Sequence, residues 1–197
     1  MTKKANENEE QPEESGTISV IDKDIKKIIY IIGEINEDVA NATITTLLAA
    51  NWEESKELHL YITSQGGYLA DCFAIIDMLL HIKTKYNIKI FTYGLGEVAS
   101  AGFFIFISGD ERFIFPSCRL FVHTHITINN MGETYQDRIK ADKTEEKEVY
   151  DNYVKYTAKQ LNISIAKSKN LLKKCKWLSN KEIKDYNIDK KSEEIDG

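Results

Sequence analysis

Ser100 stands in the run GLGEVASAGFF, residues 94–104, between a β-like segment (Ile88 to Tyr93) and an apolar, helix-compatible one (Phe103 to Ile107). A strand, a tight turn of small residues and a helix lift a hydroxyl out of the packed layer. They also aim the first backbone N–H groups of the helix at whatever that hydroxyl attacks. Upstream, the run ITSQGG closes on the pair Gly66-Gly67; downstream, RLFVH closes on His123. Serine is a weak nucleophile until a neighbouring base takes its proton, and histidine suits the task because its pKa lies near neutrality. Nucleophile, base and two glycines that admit a substrate backbone point to acyl transfer. In that chemistry the N–H groups of Gly67 and Ala101 face the substrate carbonyl, each donor lowering the barrier by about 3–4 kcal/mol.

Each feature also has a plain structural reading. Ser100 could be a helix cap whose oxygen takes the N–H of residue 102 or 103, and the glycine pair a tight turn that needs positive φ. His125 competes as base, since on a strand it would face the same side as His123. His59 and His81 read as surface or packing residues. Gly94-x-Gly96-x-x-Ala99 after a strand mimics a dinucleotide-binding turn. That fold wants an acidic residue at the end of the next strand, where this chain has Pro116-Ser117-Cys118.

The elements that must hold these residues follow from periodicity. Ile28 to Ile32 reads as a buried strand ended by Gly33, and Glu37 to Ala50 as a helix capped by Asn36. The strand Leu58 to Thr63, a helix from Leu69 to about Lys85 and the strand Ile88 to Tyr93 follow. Next come the Ser100 turn with its helix and the strands Arg112 to Phe115 and Leu120 to His123. Alternating strands and helices, with several strands apolar on both faces, predict an α/β fold whose mostly parallel sheet is covered by helices. Gly132 to about Gln160 reads as a long polar helix that projects or faces a partner, and a short helix opens at Ser179.

The chain has 197 residues and a formal charge of −5, which argues against a nucleic-acid partner. Residues 1–16 set two lysines against five glutamates, with Pro12 and Gly16 and almost no large apolar residue. Residues 1–18 therefore read as a disordered acidic tail and 19–197 as a single domain. No run is long and apolar enough for a membrane helix. Cys72, Cys118 and Cys175 lack metal-ligand spacing and read as thiols of a reducing cytoplasm. No metal and no cofactor is expected.

The runs LYITSQGGYLADCFAIIDML and GEVASAGFFIFISGDERFIFPSCRLFVH, in this order, resemble the proteolytic-subunit family of the Clp proteases, ClpP. The resemblance spans about Ile25 to Asp189. It implies a crotonase-like α/β subunit of repeated ββα units in heptameric rings, two of which stack as a tetradecamer around a closed chamber. It implies that Ser100 attacks the peptide, that His123 acts as base and then acid, and that Gly67 with Ala101 forms the oxyanion hole. The long helix from Glu133 would be the handle between rings, and Ile126 to Asn130 would line the substrate groove. Unfolded polypeptide would arrive from an AAA+ unfoldase ATPase docked on the ring face. Tyr61 matches one aromatic of that docking pocket, with His59 and His81 where other aromatics are usual, and by the same resemblance the acidic tail would lie near the axial pore.

The chain departs from the family where the triad aspartate should stand, a few residues before Trp177-Leu178-Ser179. The matching position is Cys175, and a thiol lacks the charge that orients a histidine and stabilises its imidazolium. Asn170, Asp185 and Asp189 are alternative partners. Ser64-Gln65-Gly66-Gly67 replaces Ser-Pro-Gly-Gly; Asn129, Asn130 and Gly132 replace the groove's paired glycines; alanine at 101 replaces a common methionine. Two other functions share the fold: a ring subunit with weakened catalysis that modulates an active partner, and a crotonase-type enzyme acting on a coenzyme A thioester.

Overall fold

The computed structural model describes residues 17–23, 26–123 and 136–190. Strands β1 (Thr17–Lys23), β2 (Lys26–Ile35), β3 (Glu57–Gly67), β4 (Lys89–Ala99), β5 (Glu111–Ile114), β6 (Arg119–Val122) and β7 (Lys176–Trp177) form one sheet. Helices α1 (Glu37–Ala49), α2 (Leu69–Tyr86) and α3 (Ala101–Phe106) alternate with the strands, and α4 (Gln136–Leu161), α5 (Ile165–Leu172) and α6 (Asn180–Asp185) follow. The strand order is β1-β2-β3-β4-β6-β7, with β5 also paired to β4. Pairing is parallel from β2 through β6 and antiparallel at both margins, β1 with β2 and β6 with β7.

The caps behave as their chemistry predicts. Asn36 Oδ1 accepts the N–H of Val39 at 3.0 Å, satisfying an orphan donor of α1. Ser179 and Glu182 close a reciprocal capping box on α6. Strand ends differ more. Gly33, at φ 84°, does not end β2; it sits at an irregularity between Ile32 and Glu34, after which the strand resumes to Ile35. β4 runs past Tyr93 to Ala99 and α3 opens at Ala101, so the turn expected between Tyr93 and Phe103 shrinks to Ser100 alone. β1, α5 and the two-residue β7 were not expected from periodicity, because each is short or lies at the sheet margin.

The sheet is covered unevenly, which corrects the expectation of a sheet covered by helices. One face, with Ile29, Ile31, Leu58, Leu60, Ile62 and Ile90, is buried in a core shared with Val39 and Leu47 of α1 and Ile75, Ile76 and Leu79 of α2. The other carries an aromatic ladder in which Tyr30, Tyr61, Tyr93 and Phe113 stack across four strands at centroid spacings of 5.1, 4.4 and 5.0 Å. Those four rings are half-buried. The register makes the ladder, because Tyr30 pairs Tyr61, Tyr61 pairs Tyr93 and Tyr93 pairs Phe113.

The C-terminal half of α4 docks on the core rather than projecting. Tyr153 stacks on Phe73 at 5.2 Å, and the Tyr156 hydroxyl donates to the Phe104 carbonyl at 3.1 Å. The expected tail over residues 1–16, the groove strand 126–130 with Asn129, Asn130 and Gly132, His125 and the start of the long helix at 132–135 lie outside the described residues. Thr17 and Ile18, assigned to the tail, belong to β1. Among the described residues no helix is long and apolar enough to cross a membrane.

Candidate active site

Parallel pairing of β4 with β6 brings the two chemical residues together. Ala99 pairs with Phe121, so Ser100, one residue past the end of β4, meets His123 just past the end of β6. Ser100 Oγ lies 2.7 Å from His123 Nε2, a hydrogen bond between residues 23 apart in the chain. With the ring proton on Nδ1, Nε2 accepts the serine O–H, which is the arrangement a general base needs.

The backbone excludes the capping reading of Ser100. Its φ of 50° and ψ of −118° lie outside the regions open to most L-residues, and its side chain makes no cap hydrogen bond to α3. Such a conformation costs about 1–3 kcal/mol and persists only where its surroundings impose it. Here the Ser100 N–H donates to the Phe121 carbonyl at 3.1 Å, and its own carbonyl accepts the Phe103 N–H at 3.1 Å. The hydroxyl is thereby turned away from the helix and toward His123.

Small residues are needed around this elbow for close approach. A Cβ on Gly66 would lie 2.5 Å from Ser100 Cβ and 3.2 Å from the Ala101 nitrogen. One on Gly67 would lie 2.1 Å from the Ile35 carbonyl oxygen, and one on Gly102 3.0 Å from Ser64 Cβ. Gly66 and Gly67 also take φ of 110° and 148°, which L side chains rarely adopt. Ser64 fixes the glycine turn from below, its buried hydroxyl accepting the Gly66 N–H at 3.1 Å. The buried Cys72 thiol donates to the Ala101 carbonyl at 3.2 Å and ties α2 to the first turn of α3; burial raises its pKa far above the usual thiol range. Ala101 opens α3, so its N–H has no acceptor within that helix.

The third position of the resemblance, Cys175, adjoins the pairing of β6 with β7. β6 and β7 pair Phe121 with Trp177 and Val122 with Lys176. Cys175 stands just before β7, at an exposed turn with φ 47°. The alternatives sit on other elements. Asp189 adjoins the bridge between Arg112 and Lys190, and Asp185 ends α6 with its carbonyl on the Lys167 ammonium. Asn170 lies in the middle of α5. His81 is exposed on α2, whereas His59 is buried within the aromatic face, stacked on Phe91 at 4.7 Å and bonded to the Tyr93 hydroxyl at 2.9 Å.

Two features were not anticipated from the sequence. The intimate neighbour of Ser100 is Gly66 rather than Gly67, a distinction that spacing alone does not carry. The turn around Cys175 is held by Glu182, whose carboxylate takes Lys174 at 2.7 Å and Lys176 at 3.0 Å. The lysines flanking Cys175 in KCK were the available signal.

A family model described as Clp protease matches residues 13–191. The chain belongs to the Clp protease family. The match spans every strand and helix described above, from β1 to α6, and with them the Ser100 elbow, His123 and Cys175. The α/β architecture agrees with the ClpP-type, crotonase-like fold. No group of three or more metal-ligating side chains occurs among the described residues of this Clp protease family member.

Proposed function

We propose that this chain is the peptidase subunit of a Clp-type protease, with Ser100 as nucleophile and His123 as general base and then acid. The contact between Ser100 Oγ and His123 Nε2 at 2.7 Å carries the reading. Ser100 Oγ attacks the peptide carbonyl carbon while His123 Nε2 takes its proton. The negative charge on the carbonyl oxygen falls to the N–H groups of Ala101 and Gly67. Collapse of the tetrahedral intermediate expels the amine, which leaves with the proton held by His123. Water, deprotonated by the same nitrogen, then hydrolyses the acyl-serine and restores the pair.

The resemblance extends the proposal to heptameric rings stacked as a tetradecamer, in the cytoplasm, fed with unfolded polypeptide by an AAA+ ATPase. The half-buried ladder of Tyr30, Tyr61, Tyr93 and Phe113 supports a docking role for that sheet face. Cys175, at the position the resemblance assigns to the triad aspartate, favours one second reading, a ring subunit of weakened catalysis that modulates an active partner. A fluorophosphonate probe separates the two. Labelling of wild type that vanishes in Ser100→Ala, with assembly unchanged on sizing, supports the peptidase. Silence in wild type with labelling gained in Cys175→Asp supports the modulating subunit.

A further inference from the structure

Residues 119, 121 and 123 share one face of β6 because side chains alternate along a strand. That face carries an unbroken run of flat groups leading away from the nucleophile. The His123 ring lies 5.6 Å from the Phe121 ring, Phe121 lies 5.1 Å from Trp177 on β7, and the Arg119 guanidinium stands 4.0 Å over the Trp177 indole. Phe121 is half-buried, and Trp177 keeps 36% of its surface exposed. A tryptophan and a phenylalanine held open beside a reacting histidine are not needed by the core, which is closed on the opposite side of β6 by Leu120 and Val122.

The direction of proton flow tells which part of a substrate reaches this strip. His123 must hand its proton to the leaving amine, so that nitrogen comes to the imidazole while the carbonyl oxygen points to Ala101 and Gly67. The residue on the amine side of the scissile bond then passes over His123 and onto Phe121 and Trp177. Resting on the peptidase reading, we infer that Phe121 and Trp177 form a subsite for a large apolar or aromatic side chain on the leaving-amine side of the cleaved bond. Arg119 braces the indole from above and sets a positive charge at the far end, disfavouring lysine or arginine there.

The test uses two internally quenched peptides that differ only in the first residue after the cleaved bond, phenylalanine in one and alanine in the other, with the cleaved bond verified by mass spectrometry. In the assembled wild type kcat/KM for the phenylalanine peptide exceeds that for the alanine peptide by about tenfold or more, the scale an apolar pocket supplies. In Trp177→Ala and in Phe121→Ala that ratio falls toward one. Partial loss of fold or assembly scales both peptides alike and cannot move the ratio, so a fall reports the subsite; an unchanged ratio in both variants with activity still measurable overturns it, as does no preference in wild type. A binding measurement separates this from failure of the peptidase reading. In Ser100→Ala, Trp177 fluorescence is titrated with each peptide; Trp52, the other tryptophan, is buried at 2% exposure and serves as background. Saturable change with several-fold tighter binding of the phenylalanine peptide supports the subsite even where wild type cleaves neither peptide. Equal binding of the two peptides, or no change, overturns it.

Discussion

Gly66 and Ser100 touch so closely that a Cβ on the glycine would stand 2.5 Å from the Cβ of the serine. Ser100 is therefore held from two sides, by Gly66 below it and by the Phe121 carbonyl on its backbone N–H. Replacing Gly66 with alanine pushes Ser100 off His123, and a displacement near 1 Å at a reacting group costs about 10²-fold in rate. Gly66→Ala is expected to lose peptide hydrolysis and probe labelling by that order. Gly67→Ala collides instead with the backbone of Ile35 and loosens the β2–β3 pairing, with strain and overpacking together costing roughly 2–4 kcal/mol. Denaturant unfolding beside activity assays separates the two outcomes: the Gly67 variant loses more stability.

Cys175→Asp places a carboxylate at the position the resemblance assigns to the triad acid. Its left-handed backbone, φ 47°, is one aspartate accepts more readily than most residues. Losing the acid of a triad costs about 10⁴ in turnover, so on the reading of weakened catalysis a carboxylate at 175 is expected to raise kcat by about 10²-fold or more. Cys175→Asn supplies no charge and serves as the control. Steady-state hydrolysis of one peptide by the three proteins reads the effect.

Glu182 makes the Cys175 turn sensitive to acid. Lys174 first, then the Ser179 N–H, Lys176 and the Ser179 hydroxyl hold its carboxyl well below the usual carboxylate range. A carboxyl depressed in the folded state stabilises the fold above its unfolded pKa, about 4.3 for glutamate, and loses that contribution as pH falls toward its folded value. Wild type should therefore melt above Glu182→Gln at pH 7, and the gap should narrow progressively below about pH 4. Thermal melts of both proteins across pH 3–7 check the sign.

Arg112 clasps the end of the described chain to the sheet. It is 1% exposed, and its guanidinium donates to the carbonyls of Ile188 at 2.7 Å, Asn187 at 2.8 Å and Gly109 at 2.9 Å. Arg112→Ala leaves three carbonyls without their donor and opens a void, an expected loss of about 3–5 kcal/mol. Arg112→Lys, with fewer donors on a single nitrogen, should recover only part of it. Urea unfolding midpoints give the comparison.

The order of strands and helices from β2 to β6 was legible in the sequence because long apolar runs and helical spacing are local signals, as were the Asn36 and Ser179 caps. Ser100 and His123 were legible as chemistry for the same reason: a serine among small residues after a strand, and a histidine closing another. What no local pattern contains is pairing across the sheet. Whether Ser100 caps its helix or meets His123 depends on the parallel register of β4 with β6. Which residues flank the end of β6 depends on the antiparallel pairing of β6 with β7. Gly66 against Ser100, Trp177 beside Phe121 and the tyrosine ladder on the open face are likewise contacts between strands far apart in the chain. The sequence by itself determined which residues can react and which elements carry them; only the tertiary structure decided which of them meet, because register across a sheet is set by the packing of the whole core rather than by neighbours along the chain.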